Sequence, residues 1–166
     1  MPRPDLEALN INYRRIPILS LGRDVFLDTR LILRKLESRF PLGALGAGDT
    51  SEPELRALQR LLERWTTDAG VFQRAVQLIP LNLPNMQDPH FRKDRENFSG
   101  RPFNLEALKR ARPEALAHMR DAFELLETTL LADGRQWVFK TKKPSLGDIE
   151  GKTCIFSAMG GLKLRI

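Results

Sequence analysis

Residues 13–37 read YRRIPILSLGRDVFLDTRLILRKLE and contain two short apolar runs, a turn and a helix start. The runs 16–21 and 25–27 flank the triplet Gly-Arg-Asp at 22–24. This triplet is typical of a turn, because glycine reaches positive φ and aspartate can bond its own backbone. The pattern therefore predicts a β-hairpin, followed by a helix that is capped by the Asp28-Thr29 pair.

Downstream of the hairpin, apolar residues recur mostly at helical spacing. The spacing predicts a helix that ends before Pro41 and a continuous amphipathic helix over 51–79. Ser51 and Glu54 are typical of a capping box at the start of that helix, and we expect Gly70 inside it to mark a close helix contact. The chain is therefore expected to be mainly helical, of the α+β class.

Further helices are predicted in the second half of the chain. Asp88-Pro89 opens a short polar helix, and Asn104 can cap a longer one that reaches about residue 131. Pro113 either bends this helix or begins a new segment. Residues 137–139 (Trp-Val-Phe) suggest a short extended apolar piece.

The last predicted helix begins at Ser145 and carries a Ser-x-x-Asp pattern with Asp148. Such a pair satisfies two backbone N–H groups reciprocally, so we expect Ser145 and Asp148 to form a structural capping box. Ile149 is expected to be buried. Residues 151–166, with adjacent glycines and no helical period, form an atypical tail.

Composition excludes several function classes. The net charge is +6, but 27 basic residues alternate with 21 acidic ones, as in Arg-Lys-Asp-Arg-Glu at 92–96. A solvated helix surface gives this pattern, so no nucleic-acid partner is expected, and a basic nucleic-acid binder is only a distant third alternative. One cysteine and two separated histidines indicate neither a disulfide nor a metal site. With no apolar run of about 20 residues and no signal-like N-terminus, we expect a soluble cytoplasmic protein without membrane contact.

Two parts of the chain carry a resemblance to a known family. The order Ile-Pro, Gly turn, Asp-Thr and helix resembles the second half of the thioredoxin-like domain of glutathione S-transferases. Residues 133–149 resemble the boundary before the core capping-box helix of that family's C-terminal domain, where Gly147 replaces the usual Ala. The resemblance spans roughly residues 2–150, and details at 91–101 and 130–135 look most like fungal members.

The resemblance implies a domain organisation. Residues 1–41 would be a partial thioredoxin-like domain, 42–50 a linker, 51–150 a helical C-terminal domain and 151–166 the tail. The family's first strand, first helix and second strand should precede Pro2, and related chains continue with at least two more helices after Glu150, so the chain looks truncated at both ends.

The resemblance also implies a glutathione site. In the family, an apolar residue before a cis-proline pairs its backbone with the cysteinyl part of glutathione, a role that falls on Ile16 and Pro17. An acid-Ser pair at the helix start holds the γ-glutamyl end, a role that falls on Asp28 and Thr29, with Thr where Ser is usual. The co-substrate would be glutathione, with no metal.

No catalytic residue can be assigned, because the family's thiol-activating Tyr, Ser or Cys belongs to the missing first strand. Tyr13 and Ser20 lie after that position, and Cys154 lies in the tail. We therefore expect a glutathione S-transferase-like protein, from a family that conjugates glutathione to electrophiles in detoxification or secondary metabolism. This chain would bind glutathione weakly without conjugating it. The alternative is a non-catalytic helical binding or scaffold module. The electrophile and the oligomeric state, including a homodimer, stay open.

Overall fold

The computed structural model describes residues 3–46, 52–68 and 70–153. In this part the chain is mainly helical and has one two-stranded antiparallel sheet, which confirms the expected α+β class. The α-helices, in chain order, are α1 (Pro4–Ala8), α2 (Thr29–Arg39), α3 (Pro53–Thr67), α4 (Val71–Gln77), α5 (Pro84–Gln87), α6 (Pro89–Ser99), α7 (Leu105–Leu125) and α8 (Leu146–Asp148). A 3₁₀ turn (Pro41–Gly43) follows α2, and π-helical turns follow α7 (Leu126–Leu130) and α8 (Ile149–Thr153).

The chain divides into two compact units. Residues 1–44 and 88–103 form the first, and residues 45–87 and 104–166 form the second, as far as they are described. The first unit is therefore discontinuous in sequence, because α6 groups with the N-terminal segment. The predicted boundaries assigned 88–103 to the helical C-terminal domain, so this grouping differs from them. Among the described residues, no helix is both long and apolar enough to cross a membrane.

The first unit is built on the predicted hairpin. Strand β1 (Ile18–Leu21) pairs with β2 (Asp24–Leu27), with Ile18 opposite Leu27 at one end and Leu21 opposite Asp24 at the other. Gly22 has φ +63°, as the two-residue turn requires. The Ile16–Pro17 peptide bond is cis, as predicted. Helix α2 packs on the hairpin and buries Ile32.

The core of the second unit lies between α3, α4 and α7. Ala115 and Met119 of α7 are fully buried, and they pack with Leu62 of α3 and Ala75 of α4. Pro113 lies inside α7, which continues without interruption, so the proline does not begin a new segment. As predicted, the Asn104 side chain caps this helix by accepting from the Ala107 N–H at 3.0 Å.

The predicted continuous helix over 51–79 is wrong, because α3 and α4 are separate helices. Gly70 has φ +87°, a conformation that ends helical geometry and that residues with a Cβ rarely adopt. Thr66 and Thr67 donate their hydroxyls to the carbonyls one turn earlier, which loosens the last turn of α3. The space around Gly70 is open, so the expected close helix contact is also wrong. Ser51, the predicted cap, lies outside the described residues.

Two smaller predictions near the C-terminus also need correction. Residues 137–139 form a turn closed by the Lys140 N–H and the Trp137 carbonyl at 3.0 Å, not an extended piece. The turn buries Val138 and Phe139 in the core. Ile149 is only half-buried, so its predicted burial is only partial. Gly151 is buried next to Leu62, so the first residues of the predicted tail extend the last helical segment.

Candidate functional site

The predicted site residues lie together at the open end of the hairpin. Pro17 directly precedes Ile18, Asp28 directly follows Leu27, and Ile18 and Leu27 are the last pair of the ladder. Ile16 and Thr29 are the next residues outward on each side. The antiparallel register therefore brings the Ile-Pro pair and the Asp-Thr pair to the same edge of the first unit, where all four residues are exposed.

Asp28 forms the helix cap and carries unusual backbone geometry. Its Oδ1 accepts hydrogen bonds from the Arg30 N–H at 2.9 Å and the Leu31 N–H at 3.3 Å. Its φ is +85° with ψ 123°, which lies outside the regions that residues with a Cβ normally occupy. Strain of this kind costs about 1–3 kcal/mol and concentrates at functional positions. Both cap bonds use Oδ1, so within the part of the chain that the structure describes Oδ2 is left for another donor.

Thr29 and Ile16 complete the site with groups that have no hydrogen-bond partner among the described residues. Thr29 is the first residue of α2, and across residues 3–46, 52–68 and 70–153 neither its N–H nor its hydroxyl is hydrogen-bonded. The same holds for the backbone N–H and C=O of Ile16 within that part of the chain. The Ile16 side chain is 74% exposed. The site therefore offers a carboxylate oxygen, a helix N-terminus and one unpaired backbone position.

These groups suit an extended ligand that carries an ammonium and a carboxylate. A carboxylate oxygen accepts from an ammonium, whereas a helix N-terminus with unpaired N–H groups attracts a carboxylate. An unpaired backbone position next to a strand can pair with a peptide backbone. Asp28 and Thr29 thus provide complementary polar contacts, and Ile16 provides the peptide-like one.

The other predicted pair, Ser145 and Asp148, forms the capping box and is structural. Asp148 Oδ2 accepts from the Ser145 N–H at 3.0 Å, and Ser145 Oγ accepts from the Asp148 N–H at 3.3 Å. Asp148 Oδ1 also accepts from the Val138 N–H at 2.8 Å, which ties the turn at 137–140 to the start of α8. Both residues are 3% exposed, so this pair belongs to the core of the second unit.

A cluster of arginines and aromatic rings in the first unit was not predicted. Arg14, Arg15 and Arg95 each lie over the Phe98 ring, with guanidinium carbons 5.5, 5.8 and 4.7 Å from its centroid. Arg14 and Arg95 both pair with Asp94, and the hydrogen bond from Arg95 is the main cause that lowers the pKa of the Asp94 carboxyl.

The prediction of a solvated helix surface at 92–96 is therefore wrong for Asp94 and Arg95, which are half-buried. Arg14 and Asp94 are separated by 80 positions in sequence, so no local pattern could have paired them.

No group of three or more His, Cys, Asp or Glu residues that could hold a metal ion occurs in the described ranges. Cys154 lies outside these ranges.

Residues 74–162 match a family model described as a domain of unknown function (DUF7962). The match covers just over half of the 166 residues, so the chain belongs to this family. The matched region includes α6, α7 and α8, whereas the open end of the hairpin precedes it. A search of curated proteins and a search of solved structures each found no match.

Proposed function

We propose that the chain is a glutathione S-transferase-like protein that binds glutathione at the open end of the hairpin and does not conjugate it. The observation that carries this proposal is Asp28, a strained, exposed cap residue whose Oδ2 is unused. Its carboxylate would accept from the γ-glutamyl ammonium. The N–H and hydroxyl of Thr29 would donate to the γ-glutamyl carboxylate.

Ile16 would supply the third contact. Its unpaired backbone N–H and C=O, one residue before the cis-proline, would pair with the cysteinyl backbone of glutathione as an additional rung of the hairpin. In this proposal the hairpin and α2 are the corresponding part of a thioredoxin-like domain. The second unit corresponds to the helical domain of the transferases.

Absence of conjugation follows from thiol chemistry. A thiol with a pKa of about 8.5 is only a few per cent ionised at pH 7, so a transferase needs a group that stabilises the thiolate. None of the four site residues can do this at the thiol, because Asp28 and Thr29 contact the other end of the peptide. With an aromatic electrophile, we expect the rate of conjugation to equal the uncatalysed rate.

Isothermal titration calorimetry of two matched variants tests the binding. Asp28→Asn removes the charge and keeps the cap, because asparagine caps helices as well as aspartate does. Asp24→Asn removes the same charge from an exposed position at the turn end of the same hairpin. We expect roughly three- to tenfold weaker glutathione binding for Asp28→Asn and no change for Asp24→Asn. Cysteinylglycine, which lacks the γ-glutamyl end, should bind neither protein measurably.

Equal losses of affinity in the two variants would show that only net charge matters and would refute the assigned contacts. Conjugation well above the uncatalysed rate would refute the non-catalytic half of the proposal.

The second candidate is a non-catalytic binding or scaffold module. It is favoured by large apolar side chains of the second unit that are exposed, namely Leu61, Phe72, Val76 and Leu125. A complete absence of glutathione binding in the calorimetry would favour this candidate over the first.

A further inference from the structure

The first unit contains a cavity that the proposed glutathione site does not use. Its volume is about 500 Å³, within the range of small-molecule sites. The N-terminal segment contributes Arg3, Leu6, Tyr13 and Arg14 among others to the lining, and α6 contributes Phe91, Asp94 and Arg95. We refer to it as the arginine cavity.

The charge of the walls favours an anion. Three guanidinium groups, those of Arg3, Arg14 and Arg95, face two carboxylates, those of Glu7 and Asp94. Asp94 is shared by Arg14 and Arg95, so one carboxylate serves two cations. Within the part of the chain that the structure describes, Arg3 forms no ion pair or side-chain hydrogen bond. The planar donor edge of arginine matches a carboxylate, which can accept two parallel hydrogen bonds.

The remaining walls include the polar Asn12 and Tyr13, but their apolar residues favour an aromatic body on that anion. Leu6, Ile11 and Phe91 present no side-chain hydrogen-bonding group, so a small hydrated inorganic anion would leave them in contact with water. The Phe91 ring meets Phe103 edge-on, with centroids 6.3 Å apart and planes at 81°. The Arg95 guanidinium carbon lies 5.6 Å from the Phe91 centroid, so a fixed cation adjoins a fixed ring.

The guanidinium group of Arg95 is partly removed from water. Its Nε lies buried without a hydrogen-bond partner in the described residues, while one Nη donates to Asp94 at 3.0 Å. A partly desolvated cation of this kind is stabilised when an anion approaches its accessible edge, because the anion replaces lost hydration.

From these features we propose that the arginine cavity binds a small aromatic carboxylate. The carboxylate would bind to Arg3 and to the accessible donors of Arg14, and the ring would lie against Leu6, Ile11 and Phe91. This inference does not rest on the proposed glutathione function.

The test uses 2-naphthoate as the probe and its uncharged amide, 2-naphthamide, as the comparison ligand. Binding to the full chain is followed by ligand fluorescence and by ¹H–¹⁵N NMR shifts. We expect naphthoate to bind at least about tenfold more tightly than naphthamide, because only the charged ligand pairs with arginine. The NMR shifts should centre on residues 3–14 and 91–95.

Three variants locate the site. Arg3→Gln should weaken naphthoate binding by roughly three- to tenfold, and Arg14→Gln by more, because it also leaves Asp94 with one cation fewer. Arg23→Gln, at the exposed hairpin turn, is the matched control and should leave affinity unchanged. Far-ultraviolet circular dichroism checks that each variant is folded, and the wild-type NMR map tests the location without any variant.

Equal binding of acid and amide, shifts centred elsewhere, or no binding at millimolar naphthoate would each overturn the proposal. Asp28→Asn should not change naphthoate affinity. In the wild-type chain, an absence of glutathione binding alone would refute the glutathione proposal, and an absence of naphthoate binding alone would refute this one.

Discussion

At Asp148, a single buried carboxylate accepts hydrogen bonds from three different groups. Its two oxygens accept from the Val138 N–H, the Ser145 N–H and the Ser145 hydroxyl, and a Ser145 N–H left unpaired in the core would cost about 1–3 kcal/mol. Ser145→Ala keeps that N–H but removes the hydroxyl, which donates to Asp148 Oδ2 and accepts from the Asp148 N–H, so we expect it to lower the free energy of unfolding by about 1–2 kcal/mol. Asp148→Ala should lower it by more, about 3 kcal/mol or above, because two backbone donors lose their acceptor.

Urea denaturation of the two variants measures these differences. Ser38→Ala, on the exposed face of α2, is the control and should change stability by less than about 0.5 kcal/mol. Wild-type stability in Ser145→Ala would mean that the capping box is not formed in solution.

Gly147 is a position where only glycine fits. A Cβ built there would lie 2.5 Å from two atoms of the Phe139 ring, and Phe139 is itself buried. We predict that Gly147→Ala destabilises the protein by about 1–3 kcal/mol, although alanine is the better helix former. Gly43→Ala, in open space, is the matched control and should be close to neutral. A stabilising Gly147→Ala substitution would contradict the contact with Phe139.

At the scale of elements, the break between α3 and α4 reverses the sign of the stability change expected for Gly70→Ala. If residues 53–77 formed one helix, Gly70→Ala would stabilise the chain by roughly 1 kcal/mol. Because Gly70 has φ +87°, we expect the opposite, a loss of about 1–2 kcal/mol in the free energy of unfolding. Gly70→Asn should lose less, since asparagine tolerates positive φ. Thermal denaturation of the pair decides between a broken and a continuous helix.

The segment after α7 is held by Asp133 and should be sensitive to acid. Arg135 donates from Nε and from Nη to the two oxygens of Asp133, each at 2.7 Å, and these bonds hold the pKa of the carboxyl far below its usual range. A depressed pKa in the folded state stabilises the protein above the unfolded pKa of about 4 and loses that effect as pH falls below it. The melting temperature of wild type should therefore fall more steeply below pH 4 than that of Asp133→Asn. Parallel curves would refute the pairing.

For the whole molecule, the predictable features were those set by neighbouring residues. The hairpin, its Gly22 turn, the Asp28 and Asn104 caps and the Ser145–Asp148 box follow from short patterns, because their hydrogen bonds join residues within a few positions. The arginine cavity and the Phe139 contact at Gly147 depend on packing between separate segments, which no local pattern records. The prediction of one continuous helix over 51–79 failed for a related reason, since an apolar stripe at helical spacing continues through Gly70.

The candidate site shows the same division. Its four residues were predicted because their order resembles that of glutathione S-transferases, and the register places them at one end of the hairpin. The strained φ of Asp28 and its unused Oδ2 are properties of the folded chain alone.

A ¹H–¹⁵N NMR titration of the wild-type chain with glutathione tests the central claim most directly. The proposal predicts saturable shifts concentrated at Ile16, Ile18 and residues 28–31, with the amide of Thr29 moving most because its N–H would gain an acceptor. Shifts absent at millimolar glutathione, or spread over the second unit with residues 28–31 unmoved, would contradict it.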